Sequence, residues 1–242
     1  MSEIQDIVRA HDRDRYLSTF FAPDEKRPHL MALYAFNAEV TRIRDLVSDP
    51  NIGLIRLQWW RDTLESGAGG GHPVAEALLS AIRDCALPVQ ALTDLLAARE
   101  FDLFHDRMPG LTELEAYMGE THSRLIMMAA MILDREAAAP ASEAAGLAGV
   151  AQGLALVLGD PAHRDPFLPD GMDVKAAIAH AEKRLAQAMA LLPSVPKPLL
   201  PAFLPVTLTA TYLKAIRHRP DEPLRVSPLK RQWVMWWTAR AL

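Results

Sequence analysis

Asp45 and Asp49 stand four residues apart, the spacing that puts two carboxylates on one face of a helix. Two hard oxygen donors so placed can share Mg2+, and that cation can hold a diphosphate and neutralise it as it leaves. Asp45 also belongs to a longer row. Asn37, Thr41, Asp45 and, at its edge, Ser48 recur at helical spacing and therefore share a face. Leu30, Leu33, Phe36, Val40, Ile43 and Val47 fill the neighbouring rows. A polar row between apolar rows faces either water or a polar cavity inside a bundle.

Cations accompany the acids. Arg42 and Arg44 flank Asp45, and Arg56 and Arg61 follow on the next predicted helix. Guanidinium groups offer forked donors suited to phosphate oxygens, although Glu39, Asp62 and Glu65 are equally near as ion-pair partners. His105, His122 and His163 lack a short metal-ligand spacing. The chain contains no nucleophile elbow, phosphate-binding P-loop or dinucleotide fingerprint.

The elements that must position these residues all read as helices. Half of the 242 residues are hydrophobic, Ala and Leu are frequent, and no convincing alternating strand occurs. Asp24 is the expected cap of a helix that carries Pro28 in its first turn and runs to about Val47, before Asp49-Pro50. Further helices are predicted over about 53–65, 74–85, 89–105, 112–133, 142–158, 174–192, 199–216 and 228–241. Thr112 with Glu115 forms a capping-box pattern. Gly67 to Gly71 is a flexible loop, and Pro201 and Pro205 should kink or delay the penultimate helix. Ala145, Gly149 and Gly153 recur every four residues, a face better suited to close helix packing than to a ligand. One domain spanning residues 1–242 is the simplest account.

Composition narrows the function classes. A net charge of −4, with both signs mixed along the chain, argues against a nucleic-acid partner. The single cysteine, Cys85, fits a reducing compartment and reads as a small apolar core residue. The opening Met-Ser-Glu-Ile-Gln-Asp lacks the pattern of a signal peptide, and no apolar run approaches a membrane span. A cytoplasmic chain is expected, with a place at the membrane surface left open by Trp233, Trp236 and Trp237. These three lie on one side of the last helix behind Lys230 and Arg231. Closing the core is the expected role of that aromatic side, with membrane contact the alternative.

Three segments carry a family resemblance: Tyr16-Leu-Ser-Thr-Phe-Phe-Ala-Pro-Asp-Glu-Lys-Arg27, Tyr34-Ala-Phe with its polar helix, and Gln58-Trp-Trp-Arg61-Asp-Thr-Leu64. Together they resemble the squalene/phytoene synthase family, and Ala151-Gln152 and Phe167-Leu-Pro169 agree more loosely. The resemblance implies an all-α, single-domain isoprenoid-synthase-like helical bundle around a central cavity. It also implies two Asp-x-x-x-Asp motifs on facing helices, which hold Mg2+ and prenyl diphosphates in active members. Counted from Tyr34, the first aspartate of motif one falls on Thr41 and the second on Asp45. The family's arginine becomes Ala38, Gln152 is followed by no aspartate until Asp160, and the small pair expected after Tyr117 reads His122-Ser123.

Ala35-Phe-Asn-Ala-Glu39, Arg44-Asp45-Leu-Val-Ser48, the segment Gly53 to Arg61 and Ala151-Gln-Gly153 resemble a divergent branch of that family. This is the mitochondrial complex I assembly factor type with its bacterial relatives. That resemblance implies a chain that keeps the prenyl-synthase scaffold and assists assembly of a membrane respiratory enzyme. With the degenerate motifs, the expected function is non-catalytic, either prenyl or lipid binding or respiratory-complex assembly, with no required cofactor. Tyr34, Asn37, Thr41, Arg44, Asp45, Arg56 and Gln152 are then the expected binding residues. The alternative is an active transferase that joins prenyl diphosphates using Mg2+ on Asp45 and Asp49. A third reading is a helical interaction module whose polar row is satisfied by structural hydrogen bonds.

Overall fold

The computed structural model describes residues 3–104 and 106–241. Fifteen α-helices follow one another with no strand among the described residues. They are α1 (Glu3–His11), α2 (Arg13–Ser18), α3 (Arg27–Thr41), α4 (Ile43–Leu46), α5 (Pro50–Ser66), α6 (Pro73–Cys85), α7 (Val89–Arg99) and α8 (Leu111–Met118). After these come α9 (Arg124–Leu133), α10 (Arg135–Ala138), α11 (Ser142–Leu158), α12 (Val174–Leu191), α13 (Leu200–Phe203), α14 (Thr209–His218) and α15 (Pro228–Ala241).

Two helices are apolar nearly all round and so lie at the centre, as burial of their backbone neighbours requires. In α3 every residue from Leu30 to Ala38 is buried, and in α11 so is every residue from Ala148 to Ala155. Leu30, Leu33 and Phe36 are each at most 1% exposed, a burial that contributes roughly 1.5–3 kcal/mol per side chain. α11 packs chiefly on α12, and α3 on α6 and α1. The small residues of α11 serve close packing. A Cβ on Gly149 would stand 2.3 Å from the Ser123 backbone, and one on Gly153 would stand 2.5 Å from the Met118 sulfur.

Several expected boundaries move. Residues 3–18, for which no helix is predicted, form α1 and α2, with Asp12 capping α2 through the Arg15 amide. The first long predicted helix is broken: α3 ends at Thr41, Arg42 turns the chain, and α4 is a single turn. Val40, Thr41 and Ile43 are stiff, β-branched residues that weaken the helix at this point. Asp24 does not cap α3; it pairs with Arg27, and Lys26 occupies the cap position. Thr112 caps nothing either. Gly110 precedes α8, and Glu115 is held by Arg184 and His180 of α12. The helix predicted over 89–105 ends at Arg99 and continues as a 3₁₀ turn over Glu100–Leu103, and His105 lies outside the described residues. A π-helical turn, Gly119–Ser123, divides the helix expected over 112–133. As the prolines predict, 199–216 is interrupted by a 3₁₀ stretch, Leu204–Leu208.

Two stretches, Arg135–Leu158 and Lys197–His218, are long and apolar enough to cross a membrane by length and composition, contrary to the expectation that none exists. In each, 67% of the most apolar window is buried inside the fold. Their hydropathy follows from lying in the core.

Candidate functional site

The ends of α1 and α3, the start of α2, and parts of α7, α8, α11 and α15 surround a cavity of about 280 Å³. Six arginines (Arg13, Arg15, Arg42, Arg44, Arg99 and Arg231) line it, against three aspartates, Asp12, Asp14 and Asp160. Each aspartate is already engaged. Asp12 pairs with Arg15, Asp14 with Arg231 and Asp160 with Arg44. Arg13 and Arg42 form no ion pair among the described residues. The cavity wall therefore carries surplus positive charge, with Arg15, Arg44 and Arg231 fixed in place by its own carboxylates.

The α3 break shapes this wall. Asn37 and Thr41 come from the last turns of α3, and the turn at Arg42 sends Arg42 and Arg44 to the same side. Across the cavity, Gln152 of α11 is 2% exposed and accepts a hydrogen bond of 3.2 Å from the Arg15 guanidinium. Arg99 of α7 is 5% exposed and donates to Asp102 at 3.1 Å and to the Tyr117 hydroxyl at 2.8 Å. Burial opposes charge on Arg99, but the Tyr117 and Asp102 oxygens outweigh it and hold the guanidinium protonated. Burial pushes the Tyr117 hydroxyl well above its ordinary range, so it stays a neutral donor to Asp102.

His122 completes the wall. The π-helical turn swings it out of the α8–α9 helical line, and the missing side chain of Gly153 makes room for its ring. Burial, then Arg99 and Arg15, depress its pKa well below the ordinary 6.5, so the ring is neutral near pH 7. Its Nδ1, the Thr41 hydroxyl and Nε of Arg99 have no hydrogen-bond partner among the described residues.

Asn37, Thr41, Arg44 and Gln152 thus meet at one cavity. Tyr34 stands behind it, fully buried, with the Arg15 guanidinium 5.9 Å from its ring centroid. Asp45 does not line it. The turn at Arg42 rotates Asp45 to the surface, where its carboxylate lies 3.5 Å from Arg44 and 3.9 Å from His163. Arg56 lines a separate groove with Leu46, Ile55, Trp59 and His72. Asp49 caps α5, accepting from the Asn51 amide at 2.9 Å, and so has left the face of Asp45. Among the described residues no group of three or more His, Cys, Asp or Glu side chains is arranged to hold a metal.

Sequence reasoning missed Arg15, Arg99 and Arg231, and it marked His122 only as a departure from the family pattern, not as a cavity residue. The alternating run His11-Asp12-Arg13-Asp14-Arg15 was a usable signal for the first, since such a run beside Tyr16 requires partners. Nothing local marks Arg99 or Arg231.

The squalene/phytoene synthase family model matches residues 8–164. The chain belongs to that family. Its similar curated proteins include "NADH dehydrogenase (ubiquinone) complex I, assembly factor 6" of Bos taurus, 31% identical over 242 aligned positions that cover 88% of this chain and 72% of that protein. The Homo sapiens protein of the same name is 34% identical over 176 positions, covering 70% of this chain and 52% of its own. Among solved structures, a dehydrosqualene synthase in complex with ligand superposes with a TM-score of 0.79 at 17% identity, covering 98% of this chain and 94% of that one. Squalene synthase HpnC from Alicyclobacillus acidocaldarius gives 0.72 at 19% identity, covering 91% and 94%. The fold is the isoprenoid-synthase-like helical bundle that the sequence resemblance implied.

Proposed function

We propose that this member of the squalene/phytoene synthase family acts in assembly of a respiratory NADH dehydrogenase of the complex I type. It holds an anionic prenyl or lipid ligand in its cavity and performs no prenyl transfer. The relatives named as complex I assembly factor 6 support the respiratory partner. One observation supports the binding role: the facing walls carry Thr41 and Gln152, surrounded by arginines, where a metal-bridged diphosphate needs opposed carboxylates. A hydroxyl and an amide are poor Mg2+ donors, and surplus guanidinium repels the cation. The same set suits direct recognition of phosphate or carboxylate oxygens. The donor set does not fit Mg2+. A cavity of about 280 Å³ falls just below the usual range of roughly 300–1,000 Å³ for small-molecule sites, which suits a headgroup with part of its chain. We place the protein in the cytoplasm, peripheral to the membrane.

The test is a thermal melt of the full chain with farnesyl or geranylgeranyl diphosphate, with and without Mg2+, followed by a product assay. Stabilisation without Mg2+, no diphosphate release, and reduced complex I in a deletion strain are expected. Mg2+-dependent diphosphate release that disappears in Asp45→Ala would overturn the reading and establish a transferase.

A further inference from the structure

The last helix is built inside out relative to its expected role. Trp233, Trp236 and Trp237 are 63%, 46% and 60% exposed, and Leu229 is 78% exposed. α15 buries Met235 completely, beneath that face. At 100° per residue, Leu229, Trp233, Trp236, Trp237 and Arg240 fall on one outer arc, with Lys230 at its edge. Trp233 and Trp237 stack at 5.9 Å, and the Arg240 guanidinium lies 4.7 Å from the Trp236 ring centroid. The helix contains Lys230, Arg231 and Arg240 and no acidic residue.

Large aromatic rings held in water are unfavourable unless something covers them. The occupant must accept indole rings at shallow depth and attract cations that lie in the same plane. An anionic bilayer surface does both: tryptophan settles at the headgroup boundary, and basic side chains are drawn by the negative surface potential.

The inner side of α15 is anchored. Arg231 donates to Asp14, and its guanidinium lies 5.4 Å from the Tyr212 ring centroid. Both Arg231 and Asp14 line the cavity. We propose that α15 is a membrane-docking helix that seats its Leu229 and tryptophan face on an anionic bilayer, while Arg231 on its opposite side ties it to the arginine-lined cavity. This deepens the peripheral placement given above, yet it rests on no property of the cavity's ligand.

The experiment is flotation of the full chain with vesicles of phosphatidylcholine alone, or with about one third phosphatidylglycerol, read together with tryptophan emission and quenching by bromine-labelled lipid. Expected are binding to the anionic vesicles, a blue shift with quenching, and weakening at high salt. The triple variant W233A/W236A/W237A should bind at least about tenfold less while melting like the parent, because the removed rings are exposed. Trp59→Ala, at another exposed tryptophan, should bind as the parent does. Absence of vesicle binding by the parent, or binding unchanged in the triple variant, would overturn the proposal. If the triple variant fails to fold, lipid quenching of Trp59→Ala, whose remaining exposed tryptophans all lie on α15, decides alone. Stabilisation of both proteins by prenyl diphosphate is read separately: the ligand-binding role survives a failure to bind vesicles, which removes only the docking helix and the peripheral placement.

Discussion

Around the cavity, Arg99, His122 and Gln152 are polar side chains with almost no access to water, whereas on α15 Trp233 and Trp237 are large apolar side chains more than half exposed. The two regions depart from the same hydrophobic ordering in opposite directions, and Arg231 joins them. The cavity's departure is held in place by neighbours, since nearly every buried charge there has a partner. The departure on α15 has no neighbour to hold it. A polar interior supported by pairs is stable as it stands, and an apolar exterior without support calls for a surface to cover it.

Removing one member of a buried pair tests the first half of this contrast most severely. Arg99→Met leaves Asp102 and Tyr117 buried without their cation and should destabilise by about 3–5 kcal/mol in urea unfolding. A loss under 1 kcal/mol would mean that water reaches the pair. Next is Gly149→Ala, whose methyl meets the Ser123 backbone; about 1–3 kcal/mol should be lost, and the π-helical turn carrying His122 displaced.

A smaller effect is expected from pH. The folded pKa of His122 lies below its unfolded value, so the unfolded chain binds the extra proton first. The stability this contributes is complete above pH 6.5 and is lost as pH falls toward the folded value. The melting temperature of His122→Gln should therefore fall less steeply below that pH than the parent's, and parallel curves would remove His122 from the account. Least of all, Trp233→Ala should change stability by no more than about 0.5 kcal/mol in the absence of vesicles. A large loss there would show that the ring packs in the fold, contrary to its exposure.

The sequence alone determined the helical class, most helix positions and the family scaffold. Their signals are local: composition, period, proline and glycine placement, and the Tyr34 and Gln58 segments. It also brought Asn37, Thr41, Arg44 and Gln152 forward as cavity candidates. Only the tertiary structure decided that Asp45 leaves that row, because a break after Thr41 turns the helix face and spacing alone presumes an unbroken helix. It likewise decided that Arg15, Arg99, His122 and Arg231, drawn from α2, α7, a π-helical turn and α15, converge on one cavity. Convergence of residues up to 216 positions apart depends on how helices pack, and the burial that tunes His122 and displays the tryptophans exists only once they have packed.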